Sequence, residues 1–348
     1  MSRQSIQMEL AERPETNIIP GQTFRLVSGP APTAADLQDG QLLVESLYIS
    51  LDPAMRGWLQ DRPSYLPPVQ IGEVMRAGAI ARVLASKSAV AAPGDIVSAF
   101  LGFAEVGILP EAAVQKAFPL PPNGKVTDLL GVLGFTGMTA YFGMTKIGKP
   151  KQGETVVVTA AAGATGSVAA QIAKINGARV IGTAGSEEKV GWLKEELGLD
   201  VALNYKDPDF QKKFKEATPD LIDVFFDNVG GEQLDMALAR ANKFSRFVIC
   251  GGISQYNKTE PQGPKNFLNV ITQRIHIEGF IVLDYATEFG TALEQLAQWL
   301  AEGKIQRKET IVKGGIKAAE EALVSLFTGQ NTGKLMIEVK NPEGDSKL

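Results

Sequence analysis

Apolar and polar positions follow two different rhythms along this chain, and the change comes near Leu129. Before it, apolar and β-branched runs are short and broken by Gly and Pro. Residues 41–51 (QLLVESLYISL), 77–86 (AGAIARVLAS) and 94–106 (GDIVSAFLGFAEV) each read as a strand, with Pro93-Gly94 as a turn. Between the first two lies a Pro-rich loop, residues 62–70, which carries Tyr65. This part predicts a mostly β unit.

Beyond that point the period lengthens. Residues 131–148 space apolar and small side chains as a helix does, and from Glu154 strands and helices alternate. ETVVVTA predicts a strand, and GSVAAQIAKING a helix with Gly177 as its C-cap. ARVIGTA is a second strand and EEKVGWLKEELG a second helix. DVALNY, LIDVFFDNVG and SRFVICGG follow as strands. Such alternation implies an α/β fold with a parallel, doubly wound sheet. After Gly303 come a helical segment, KAAEEALVSLFTG, and a last strand, KLMIEVK.

Composition narrows the chemistry. A chain of 348 residues exceeds what one core usually holds, so two domains are expected. The formal net charge of -4, without long runs of like charge, argues against nucleic acid or a membrane surface as partner. No run of about 18 apolar residues occurs, and the polar first segment lacks the apolar core of a secretory signal. Cys250 and His276 are the only residues of their kinds. An intrachain disulfide is impossible, a zinc site would have to lean on carboxylates, and any Ser-His-Asp or Cys-His group would have to use His276.

The strongest local signal is Ala161-Ala162-Gly163-Ala164-Thr165-Gly166, placed between a strand and a helix. It follows G-x-G-x-x-G with alanine first. Gly163 lets the backbone approach a pyrophosphate, Gly166 lets helix and strand pack closely, and the helix amides face the phosphates. An NAD site usually ends its second strand with Asp or Glu to grip the ribose. Here the strand runs into Thr183-Ala184-Gly185-Ser186, with Lys189 just beyond. That pattern favours the 2′-phosphate of NADP(H). The other reading makes Lys189 a solvated helix residue and gives the ribose to Glu187 or Glu188.

Taken together, SLDPAMRG (50–57), AAAGATGSV, AGSEEK (184–189), NYK (204–206), FDNVGG (226–231), CGGISQYN (250–257), EGFIV (278–282) and NTGK (331–334) resemble the zinc-free medium-chain dehydrogenase/reductases typified by prostaglandin reductase and the alkenal double-bond reductases. The resemblance covers nearly the whole chain. It implies a GroES-like β domain, residues 1–128 and 310–348, and a Rossmann NADP-binding domain, residues 129–309. It implies that Gly163, Ala164, Thr165 and Gly166 hold the pyrophosphate and that Lys189 and Tyr205 hold the 2′-phosphate. Asn228, the loop Cys250, Gly251, Gly252, Ile253, Ser254 and Tyr256, then Phe280, Ile281, Val282 and Asn331, would line the rest of the cofactor.

The substrate would sit between the domains, with Arg56 and Tyr65 as cleft candidates; Arg56 serves structure equally well, and Tyr65 could be a lid or simple packing. Family members often have Tyr after Asp-Pro, where this chain has Ala54, so its pocket is expected to be wider or less polar. His276, alternating with Arg274 and Glu278, is expected on a polar strand face, and Cys250 is expected to be a small buried residue.

The implied reaction is NADPH-dependent reduction of the C=C bond of an α,β-unsaturated ketone or aldehyde, without zinc, with Tyr256 as the catalytic group. Quinone reduction and a non-catalytic NADPH-binding sensor or structural protein are the alternatives. The resemblance also implies a homodimer through the RIHIEGF region. Ser346-Lys347-Leu348 matches the tripeptide read by the peroxisomal import receptor, which would place the protein in the peroxisome of a eukaryote and otherwise in the cytoplasm.

Overall fold

A computed structural model describes residues 3–341; the tripeptide Ser346-Lys347-Leu348 lies outside the described residues. Its described residues form two compact units, one of residues 3–120, 125–130 and 309–341, the other of residues 121–124 and 131–308.

The first unit is mostly β. A hairpin of β1 (Gln4–Leu10) and β2 (Phe24–Pro30) stands apart from a larger sheet. That sheet begins with β3 (Gln41–Ser50), followed by the single turn α1 (Met55–Trp58) and β4 (Ala79–Ser86). The single strand expected over 94–106 is instead two, β5 (Ile96–Ala99) and β6 (Val106–Pro110), and β7 (Val114–Lys116) follows. The break has a backbone cause. Gly102 takes a left-handed φ of 78°, and a Cβ there would meet the Met75 carbonyl oxygen at 2.6 Å. Alternation of apolar residues alone could not reveal that turn.

The second unit opens with α2 (Phe135–Phe142), continued by a wider π-type turn through Gly148. Then come β8 (Thr155–Val158), α3 (Ala164–Ile175), β9 (Arg179–Ala184), α4 (Glu187–Glu195), β10 (Val201–Asn204) and α5 (Phe210–Ala217). β11 (Ile222–Asp227), α6 (Gly231–Ala239), β12 (Ala241–Ile249), α7 (Asn269–Gln273), β13 (His276–Gly279) and α8 (Phe289–Ala301) complete it. The six strands are all parallel, in the order β10-β9-β8-β11-β12-β13. Val157, Ile181, Phe225 and Phe247 are fully buried in its core. This is the doubly wound order of a dinucleotide-binding fold, with its switch point between the first and fourth strands, β8 and β11.

The chain then returns to the first unit as β14 (Glu309–Val312), α9 (Ala319–Thr328) and β15 (Lys334–Glu338). β15 pairs antiparallel with β3, Ile337 opposite Ile49, and Leu323 joins Leu10, Met55 and Phe103 in that unit's core. Lys334 is buried there, and its Nζ donates to Asp52 Oδ1 at 2.6 Å. Among the described residues, no helix is long and apolar enough to cross a membrane.

Candidate active site

In open parallel sheets, ligands bind outside the carboxyl ends of the strands at the switch point. Here those ends are tied together. Thr159, just after β8, donates through Oγ1 to Asp227 Oδ1 at 2.9 Å, and the Asn228 N–H donates back to Thr159 Oγ1 at 2.8 Å. Asn228 Nδ2 donates to the Thr159 carbonyl at 2.7 Å, so this side chain braces the turn. Asp227 also accepts the Val229 and Gly230 N–H groups. Burial nonetheless raises its carboxyl above the usual range; those donors and Thr159 oppose the shift.

The Gly-rich turn adjoins this brace. Gly163 is the N-cap of α3, with extended φ and ψ of -85° and 172°. A Cβ at Gly166 would run into the Ala160 carbonyl oxygen, so only glycine allows the helix to start this close to the strand. The first amides of the helix are thereby presented at the strand ends, the arrangement that suits a pyrophosphate.

A second polar corner lies where β9 and β10 end. Asn204 pairs in register with Ala184, and the Tyr205 N–H donates to the Ala184 carbonyl at 2.9 Å. The Tyr205 hydroxyl lies over Gly185, where a Cβ would meet it at 2.9 Å. Ser186 caps α4 by accepting the Lys189 N–H at 3.3 Å. Burial holds the Lys189 ammonium below its ordinary range, and the neighbouring Lys206 ammonium lowers it further. Lys206 itself stands 5.8 Å from the Tyr205 ring centroid. Two ammonium groups and a phenol at one turn suit a phosphate dianion, which would relieve their mutual repulsion.

The loop after β12 is docked on the turn after β11 by backbone bonds. The Cys250 and Gly251 N–H groups donate to the Asp227 carbonyl at 2.9 and 3.0 Å, and those of Ile253 and Ser254 to the Asn228 and Val229 carbonyls. The Tyr256 hydroxyl accepts the Gly252 N–H at 3.0 Å, which fixes the ring against its own loop. Together with Gly279, Phe280 and Ile281, this loop lines a cavity of about 570 Å³. Phe280 closes against Gly143, where a Cβ would meet its ring at 2.9 Å. Cys250 lines the same cavity, but burial of its thiol and the Asp227 carboxylate push it up to about 12. At neutral pH it is a thiol and a poor nucleophile.

Sequence-expected residues of the second unit thus gather at one end of the parallel sheet. Arg56, Tyr65 and Asn331 belong to the first unit. Arg56 is 1% exposed and donates to the main-chain carbonyls of Pro14, Glu15 and Thr16, an anchoring role. The exposed Tyr65 accepts the Trp58 indole N–H at 2.7 Å, and Asn331 Nδ2 donates to the Gly333 carbonyl at 2.8 Å. His276 is exposed beside Glu278 on β13, on the polar face expected for it. Sequence reasoning passed over Thr159, Asp227, Asn204 and Lys206. The last three stand within quoted motifs, yet nothing local marks which of their neighbours carries structure.

The same architecture recurs in known proteins. Residues 6–117 match the model of the N-terminal domain of oxidoreductase, and residues 164–298 that of the zinc-binding dehydrogenases. The NADPH-dependent curcumin reductase of Escherichia coli is 39% identical over 95% of this chain and 95% of its own. Prostaglandin reductase 1 of Bos taurus is 40% identical over 87% of this chain and 90% of its own. The crystal structure of CurA from Vibrio vulnificus in complex with NADPH, 38% identical, superposes with a TM-score of 0.89 over 97% of this chain and 100% of that one. Despite the second model's description, one Cys and one His cannot supply the ligands of a usual zinc site. The chain belongs to the zinc-free medium-chain dehydrogenase/reductases of the prostaglandin reductase and alkenal reductase family, a family of NADP-dependent oxidoreductases.

Proposed function

We propose that this NADP-dependent oxidoreductase reduces the carbon–carbon double bond of α,β-unsaturated ketones and aldehydes. The observation that carries the reading is the Tyr256 hydroxyl, fixed by the Gly252 N–H on the wall of the cavity beyond the strand ends. NADPH, when bound, supplies the hydride, which adds to the carbon β to the carbonyl. Charge then develops on the carbonyl oxygen, and a positioned hydrogen-bond donor stabilises it. Tyr256 is that donor in this reading, and a proton from Tyr256 or from water then reaches the α carbon, which completes the reduction.

The residues proposed to hold the cofactor are those that the family resemblance implies. The amides after Gly163 take the pyrophosphate, Lys189 and Tyr205 take the 2′-phosphate, and the turn at Asn228 with the loop from Cys250 to Tyr256 frames the remainder. Phe280, Ile281 and Val282 flank it, with Asn331 as a further contact. Arg56 acts by anchoring its loop, and Tyr65 as a substrate contact.

The protein is further read as a homodimer joined at β13, the edge strand of the parallel sheet. Just before that strand, Leu268 and Ile271 are each 72% exposed. An edge strand beside an apolar surface is a surface that a second copy would cover.

The deciding experiment is NADPH consumption across a panel of enals, enones and quinones. Turnover of simple enones, with Tyr256→Phe slowing it while NADPH affinity stays close to wild type, supports the reading. Turnover of quinones alone rejects it, and wild-type kinetics for Tyr256→Phe on several enones rejects the role of Tyr256.

A further inference from the structure

One side chain at the 2′-phosphate corner is engaged at both ends. Asn204, the last residue of β10, donates through Nδ2 to Glu187 Oε1 at 2.8 Å and accepts the Lys206 N–H on Oδ1 at 3.0 Å. Glu187 is the first residue of α4, immediately after the Gly185-Ser186 turn. A carboxylate at the end of the second strand, here β9, is what an NAD site uses to hold the ribose hydroxyls. The chain therefore places an acidic side chain within one turn of a phosphate corner, where an unrestrained carboxylate would repel a phosphate dianion.

The bond to Asn204 draws that carboxylate toward the end of β10. Its charge is felt by Lys213 on α5, and the charges of Lys206 and Glu188 act on Lys189. One amide thus holds the Glu187 carboxylate. The same amide oxygen caps the N–H of Lys206 and so fixes the turn that carries Tyr205.

We propose that Asn204 is a specificity-determining positioning residue, which keeps the Glu187 carboxylate out of the corner formed by Lys189, Tyr205 and Lys206 and so preserves the preference for NADPH over NADH. The proposal rests on reading Lys189 and Tyr205 as the 2′-phosphate site. It adds a restraint on an acidic neighbour to the attraction that those residues supply. Only the release of a charge distinguishes this role from a purely structural one, so the test must remove that charge separately.

Equilibrium binding of NADPH and NADH, followed by cofactor fluorescence, supplies the readout, with thermal unfolding to confirm that each variant folds. Asn204→Ala should lower the NADPH-to-NADH affinity ratio about five-fold, on the scale of one exposed charge interaction. The double variant Asn204→Ala with Glu187→Gln should recover most of the ratio, because the turn is still uncapped but the charge is gone. A ratio unchanged in Asn204→Ala, an equal loss for both cofactors, or a ratio that Glu187→Gln does not restore would overturn the proposal. Lys189→Ala separates the two layers. If it collapses the ratio while Asn204→Ala does not, the restraint alone is wrong. If it leaves the ratio intact, the phosphate-site reading fails and the restraint falls with it.

Discussion

The hydroxyl of Thr159 and the carboxylate of Asp227 are 2.9 Å apart, joining the ends of two neighbouring parallel strands where the strand order reverses. Both side chains are fully buried, and the bond lies under the turn that carries Asn228. The two strands could pair without it. Its effect is to hold the strand ends, and the loops that continue from them, in one geometry.

Thr159→Val tests that brace with little change of shape. The substitution leaves Asp227 Oδ1 and the Asn228 N–H without a hydroxyl partner in a buried place, which should cost about 1–3 kcal/mol of stability. NADPH affinity should fall as well, and Thr159→Ser should restore both. Chemical unfolding and cofactor titration measure the two effects; full stability in the Val variant would show that the bond is dispensable.

Arg56 yields a prediction with a different signature. Its guanidinium reaches carbonyls some 40 residues earlier in the chain, with Nε and Nη2 donating to Thr16 O at 2.9 and 2.7 Å. Arg56→Ala strands those carbonyls and removes a buried fork of donors, a loss of roughly 3 kcal/mol or more. Its melting temperature should drop clearly, and Lys should rescue poorly because it lacks the planar fork. The KM for an enone, measured well below the melting temperature, should stay near wild type. A large rise in KM with unchanged stability would instead mark Arg56 as a substrate contact.

These two residues indicate what the sequence made legible. The period of the apolar positions and the Gly-rich turn after a strand led to the parallel sheet and its cofactor end, because those signals are local. The missing strand-end carboxylate before Ser186 and the nearby Lys189 pointed to NADP(H) for the same reason. Three kinds of feature escaped. The turn at Gly102 interrupts an apolar run that reads as one strand. Arg56 finds its partners in a distant loop. Asn204 acts through a neighbour across the strand, a relation visible only once Ala184 and Asn204 are known to pair. In each case the determining contact joins residues far apart in the chain or depends on backbone angles that many residues can adopt.

A pH dependence follows from Glu320 in α9. This residue is 7% exposed, and its Oε2 accepts the Gly21 N–H at 2.9 Å. Burial raises its carboxyl above the ordinary 4.5, against the bonds from the Gly21 and Phe24 N–H groups, and the Glu321 charge adds to the rise. A raised value means that the folded protein holds this proton more tightly than the unfolded chain does. The contribution is therefore fully present below the unfolded value and is lost as pH rises through the folded one. Glu320→Gln keeps an acceptor for Gly21 without a charge. It should melt higher than wild type at about pH 8, with the gap closing toward about pH 4. Thermal scans across that range check the sign, and a gap that widens toward acid would reverse the assignment.

The last prediction concerns assembly. β13 pairs on one side with β12 and is the last strand of the sheet, so among the described residues its other edge has no strand beside it. The segment before it exposes Phe267, Leu268 and Ile271, while the exposed ring of Phe244 lies 4.7 Å from the Arg274 guanidinium. Pairing two copies along this edge would satisfy the strand's outward backbone groups and remove apolar surface from water at the same time. Light scattering at micromolar concentration should therefore give twice the 37.2 kDa chain mass. Lys at both 268 and 271 places two charges where the second copy would pack. Because both positions are exposed in the single chain, these substitutions should leave its own fold within about 0.5 kcal/mol per site. The double variant should run as a folded monomer. A wild-type protein that stays monomeric throughout that range would reject the dimer, and an unaltered dimer in the double variant would move the interface away from this edge.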